Sequence, residues 1–129
     1  MARKPTILCV DDRADSLLIR KLMLQQFGCE VVTVTDAPAC LDALDQHPID
    51  LILIDYHLSG KVNGEELSRT IRESWPKVAL IMLTGDPNVP VSARESVDAL
   101  LIKGASSPND MLDLIENLVP DAELLPRVR

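Results

Sequence analysis

The sequence predicts a doubly wound α/β domain: a five-stranded parallel sheet with helices on both faces. Short apolar runs recur five times along the chain, and segments with helical spacing separate them. Strands alternating with helices imply right-handed crossovers and a parallel sheet. The length of 129 residues suits one domain, a size at which folding buries roughly two-thirds of the surface of the unfolded chain.

The elements follow in order. Thr6-Ile7-Leu8-Cys9-Val10 is continuously apolar after its first residue and stops at Asp11-Asp12, which is how a strand covered on both faces reads. Leu17, Leu18, Leu22 and Met23 then recur at helical spacing. The second run, Val31 to Val34, is followed by a helical segment carrying Leu41 and Leu44, and the third, Leu51 to Ile54, by one carrying Leu67 and Ile71. After the fourth run, Val78 to Leu83, the stretch Asp86-Pro87-Asn88-Val89-Pro90 puts two prolines where the fourth helix should begin, so a short or irregular helix is expected. The fifth run is Ala99 to Ile102. A last helix carries Met111, Leu112, Ile115 and Leu118 behind Ser107-Pro108, an N-cap and first-turn pair, and ends at Pro120. The domain is therefore read as 1–119, with 120–129 as a short C-terminal tail.

Composition narrows the function. Hydrophobic residues make up 47% of the chain but aromatic ones only 2%, so the core falls to Leu, Ile, Val and Met. A net charge of −7 without a Lys/Arg cluster repels a nucleic-acid backbone, so no nucleic-acid partner is expected. The apolar runs are too short to cross a bilayer and the N-terminus has no apolar signal region, so a cytoplasmic protein without membrane attachment is expected. Cys9, Cys29 and Cys40 form no CxxC pair and read as free buried thiols.

In doubly wound sheets ligands bind outside the carboxyl ends of the strands. The residues there are Asp11 and Asp12 after the first strand, Asp55 after the third, Thr84 after the fourth and Lys103 after the fifth. Adjacent strands lie about 4.8 Å apart, so if the first and third are neighbours Asp12 and Asp55 reach a common ion. Carboxylates this close repel unless a divalent cation neutralises them. A few carboxylate oxygens, a backbone carbonyl and waters suit Mg²⁺.

An acidic pair, an aspartate ending strand three, a Thr ending strand four and a Lys ending strand five resemble the receiver domain of two-component response regulators. Local wording agrees in Ile7 to Asp12 (ILCVDD), Pro48 to Asp55 (PIDLILID), Gly64-Glu65-Glu66-Leu67 and Met82-Leu83-Thr84-Gly85. The resemblance covers Pro5 to about Leu118. It implies the flavodoxin-like strand order 2-1-3-4-5 and phosphoryl transfer to Asp55 from a sensor histidine kinase or histidine phosphotransfer protein. It further implies Mg²⁺ held directly by Asp12, by Asp11 largely through water, by Asp55, and by the His57 backbone carbonyl. Thr84 would donate to one phosphoryl oxygen and Lys103 pair with another. Output would pass to a downstream protein target, from a monomer or weak dimer. Such a domain catalyses its own phosphorylation and dephosphorylation at most and is not an enzyme in the wider sense.

Three departures bear on mechanism. Gly104 follows Lys103 where receivers usually carry a cis proline; a cis bond before glycine costs roughly 3 kcal/mol, so a trans bond or an altered loop is expected. Leu100 stands where an aromatic switch residue is usual. The proline-broken fourth helix lies on the usual output face. The Gly104 and Leu100 departures motivate an alternative function, a degenerate receiver serving as a phosphorylation-independent docking module. A phosphatase with an aspartyl-phosphate intermediate would carry a second Asp two residues after Asp55, where His57 stands. Taken alone, Asp11 and Asp12 read as a turn and N-cap, and Lys103 as a residue snorkelling from a strand end.

Overall fold

The structure, a computed structural model, describes residues 2–127. The elements run β1 (Thr6–Val10), α1 (Ala14–Gln26), β2 (Glu30–Val34), α2 (Ala37–Gln46), β3 (Leu51–Asp55), α3 (Gly64–Ser74), β4 (Ala79–Thr84), α4 (Val91–Glu95), β5 (Ala99–Ile102) and α5 (Pro108–Leu118). The five strands form one parallel sheet in the order β2-β1-β3-β4-β5. β3 and β4 reach one residue further than their apolar runs, because the backbone ladder continues past a polar side chain. Asp55 pairs with Leu83, Thr84 with Ile102, and the Tyr56 N–H donates to the Leu83 carbonyl.

Side chains alternate across a strand, and the strands divide accordingly between two aliphatic cores. Ile7, Cys9, Leu53 and Ile81 meet Leu17 and Leu24 of α1 and Leu112 and Ile115 of α5. Leu8, Val10, Ile52 and Ile54 meet Cys40 and Leu44 of α2 and Leu67 and Ile71 of α3. Each fully buried Leu or Ile contributes about 1.5–3 kcal/mol, against about 0–1 kcal/mol for an exposed ion pair, so the two aliphatic layers dominate stability. The three cysteines are free and buried, and burial pushes the Cys9 and Cys40 thiols up to about 12.

On α1 the apolar residues separate. Leu17 is buried and Met23 half-buried, whereas Leu18 and Leu22 are exposed, because the stripe facing the sheet is Leu17, Arg20 and Leu24. α4 is a five-residue helix behind Pro90, as the two prolines lead one to expect. Residues 121–127 fold back on the domain. Arg3 pairs its backbone with Asp121 and Glu123, the Leu125 N–H donates to the Phe27 carbonyl, and Arg127 bonds Asp113 and Glu116 of α5.

The chain start is clamped by Arg3, whose Nη1 donates to Asp50 Oδ2 at 2.8 Å and Nε to Asp121 at 2.7 Å, while Asp50 also accepts the Thr6 N–H at 2.8 Å. Burial works to raise the Asp50 carboxyl, but the Arg3 and Thr6 hydrogen bonds overcome it and hold it below the usual carboxylate range. A depressed folded-state value means that this stabilisation is present above the ordinary carboxylate pKa and is lost as pH falls through the folded value. Urea titrations from pH 6 down to pH 3 should show wild type losing stability more steeply than Asp50→Asn.

Gly64 opens α3 against the end of β3, its N–H donating to the Tyr56 carbonyl at 3.1 Å. A Cβ here would lie 2.8 Å from Tyr56 Cα and collide with the Asp55 carbonyl oxygen, both rigid backbone. Gly64→Ala should therefore cost about 1–3 kcal/mol in urea unfolding.

Candidate functional site

Asp55 ends β3 with its side chain almost wholly buried. Its Oδ1 accepts the backbone N–H of His57 at 3.0 Å, and its Oδ2 meets Lys103 Nζ at 2.7 Å. Lys103 is held in register by its own N–H, which donates to the Thr84 carbonyl at 2.8 Å. Immediately beyond it the chain turns through Gly104 at φ +82°, closed by the Ala105 and Ser106 N–H groups donating to the Ile102 carbonyl. No peptide bond among the described residues is cis. A left-handed glycine therefore makes the turn, and the lysine reaches the aspartate without a proline.

At the end of β1, Asp11 is fully buried and Asp12 exposed. Asp11 Oδ1 accepts the Arg13 N–H at 3.0 Å; its Oδ2 is buried without a hydrogen-bond partner, and Arg20 Nη1 stands 3.6 Å away. Burial pushes the Asp11 carboxyl up; the Arg13 N–H opposes this, Asp55 adds to it, and Lys103 and Arg20 oppose it too weakly to reverse it. One oxygen each from Asp11, Asp12 and Asp55 lie within 4.8 Å of one another. A trio of hard oxygens, from two buried carboxylates and one open to solvent, fits Mg²⁺, which keeps several waters. Beside it opens a cleft of about 320 Å³ lined by Asp12, Tyr56, His57, Leu58, Ser59 and Asn63.

Asp11, Asp12, Asp55 and Lys103 thus converge. Thr84, fully buried, ends β4, but its hydroxyl donates to the Asp86 carbonyl at 3.2 Å and accepts the Asp86 N–H at 3.0 Å. The His57 ring is exposed and edge-on to Tyr56, and the residue's contact with Asp55 is its backbone N–H. Leu100 packs with Tyr56 and Val97 against Met82, Val89 and Ala93, giving the switch position an aliphatic filling. Sequence reasoning missed Arg20. Its signal was present: a cation at the middle position of the Leu17, Leu24 stripe.

Comparison with known proteins agrees. Sensor protein GacS of Pseudomonas syringae pv. syringae is 37% identical over 74 residues, covering 57% of this chain but only 8% of that protein. A CheY-like response regulator receiver domain protein from Methanospirillum hungatei JF-1 superposes with a TM-score of 0.82 at 28% identity, covering 92% of this chain and 97% of the other. The response regulator TrrA from Thermotoga maritima, solved in complex with Mg²⁺-BeF, shares the fold with a TM-score of 0.81 at 23% identity, covering 88% of this chain and 98% of the other. Residues 7–115 match the response regulator receiver domain family. With the family's sheet order and acidic pocket both present, this chain belongs to the receiver domains of two-component systems.

Proposed function

We propose that Asp55 accepts a phosphoryl group from the phosphohistidine of a sensor histidine kinase or histidine phosphotransfer protein, and that the phosphorylated domain acts through a protein target. The observation that carries this is the Lys103 Nζ contact with Asp55 Oδ2 at 2.7 Å, beside a carboxylate trio confined within 4.8 Å. A nucleophile, its countercharge and a metal-binding set then share one strand-end site. In the transfer, a carboxylate oxygen of Asp55 bonds to phosphorus as the N–P bond breaks, and the imidazole leaves with the electron pair. A carboxylate needs no general base for this. Catalysis is positioning and countercharge.

Asp11, Asp12, Asp55 and the His57 carbonyl would hold Mg²⁺, which supplies charge neutralisation for the phosphoryl oxygens. Binding of Mg²⁺-BeF by TrrA supports that choice of metal. His57 orients Asp55 by its N–H, and Lys103 pairs with a phosphoryl oxygen after transfer. Thr84 can donate to another only by releasing the Asp86 carbonyl, a local loop adjustment.

Incubation with acetyl phosphate and Mg²⁺ should add one phosphate to wild type and none to Asp55→Asn or to wild type in EDTA, as read by intact mass. Lys103→Ala should slow labelling about a hundredfold, the usual scale for losing one charge-stabilising donor. Equal labelling of wild type and Asp55→Asn would overturn the reading.

A further inference from the structure

Arg20 has no role in the chemistry above, yet it is a nearly buried cation whose Nη1 lacks a hydrogen bond among the described residues. It stands in the buried stripe of α1 between Leu17 and Leu24, with its side chain only 12% exposed. Such a position ordinarily takes an aliphatic residue, because burying a cation is unfavourable unless it is paired. Its one ion-pair partner among the described residues is Asp11, at 3.6 Å, longer than a hydrogen bond. The two facing atoms, Arg20 Nη1 and Asp11 Oδ2, are also the two buried side-chain polar atoms that lack a hydrogen bond among the described residues.

Asp11 does not need Arg20 to hold its carboxylate, since the Arg13 N–H already does so at 3.0 Å. What Arg20 adds is charge. Two cations stand close to the trio, Lys103 at 2.7 Å from Asp55 and Arg20 at 3.6 Å from Asp11, while the exposed Arg13 acts on Asp11 and Asp12 only across solvent. We propose that Arg20 is a positioning residue acting through Asp11: it occupies the countercharge place beside the orphaned Asp11 oxygen and thereby weakens the hold of the carboxylate trio on a divalent cation. This rests on the metal-binding reading of the trio given above. A cation kept in the pocket by the fold makes metal loading easily reversible, because an incoming ion competes with the Arg20 charge for Asp11.

Calorimetric titration of the full chain with MgCl₂ at low ionic strength tests this without phosphorylation. Arg20→Met should bind Mg²⁺ about five- to tenfold more tightly than wild type, the scale expected for removing one charge a few ångströms from the ion in a partly screened site. Arg20→Gln carries the same test should the apolar variant lose its fold by circular dichroism. Arg20→Lys, which keeps the charge, should return to within about threefold of wild type. Because Arg20→Lys keeps the charge while altering the packing, its return toward wild-type affinity separates a charge role from a structural one. Folded neutral variants that bind Mg²⁺ as wild type does, or more weakly, overturn the proposal. Asp12→Asn is the control for the metal reading. If wild type, Asp12→Asn and the Arg20 variants all fail to bind, the metal site itself is refuted, and this inference with it; weakened binding in Asp12→Asn alone leaves the site standing and refutes only the role of Arg20.

Discussion

The parallel pairing of β1 with β3 is the constraint on which the site depends. Ile7 lies opposite Leu51 and Val10 opposite Ile54, so the two strands finish level and Asp11 and Asp55 emerge at the same end. β4 and β5 extend that level edge, bringing Thr84 and Lys103 to it through the Thr84–Ile102 pair and the Lys103 N–H to Thr84 carbonyl bond. Parallel strands need a helical crossover, and each crossover returns the chain to the amino end of the sheet, so every strand delivers its last residue to one side. Buried aliphatic layers on both faces hold this arrangement rigid, which lets a few polar side chains be placed to within a hydrogen-bond length.

The same rigidity makes the site electrostatically costly. Asp11 is fully buried with one oxygen unpaired, and Asp55 is buried apart from its contacts with Lys103 and the His57 N–H. Carboxylates concentrated in this way oppose folding and are tolerated because countercharge is supplied from two directions. Lys103 arrives from the sheet edge and Arg20 from the helix layer. Unpaired polarity at one end of the sheet is offset by a large apolar core elsewhere.

The loop after β5 shows how one departure from the family pattern is absorbed. With a left-handed Gly104 in a tight turn that the Ala105 and Ser106 N–H groups close on the Ile102 carbonyl, the lysine is oriented by its own N–H to the Thr84 carbonyl. The Leu100 departure is different in kind. Packed like Tyr56 and Val97 against Met82, Val89 and Ala93, its side chain has no ring to rotate and no polar end to exchange.

Much of this was legible in the sequence because it depends on local pattern. Continuous apolar runs ending in Asp11, Asp55, Thr84 and Lys103 marked both the strands and the edge where chemistry gathers, and two prolines marked the short α4. Hydrophobic periodicity and chain topology are enough to bring those ends together. Three features lay beyond pattern. The Thr84 hydroxyl is held by Asp86, residues 120–127 pack back on the domain, and Arg20 is turned inward against Asp11 rather than outward like Leu18 and Leu22. Each is decided by side-chain rotamers and by which face of an element meets its neighbour, energies of about 1 kcal/mol or less apart that only the packed whole can rank.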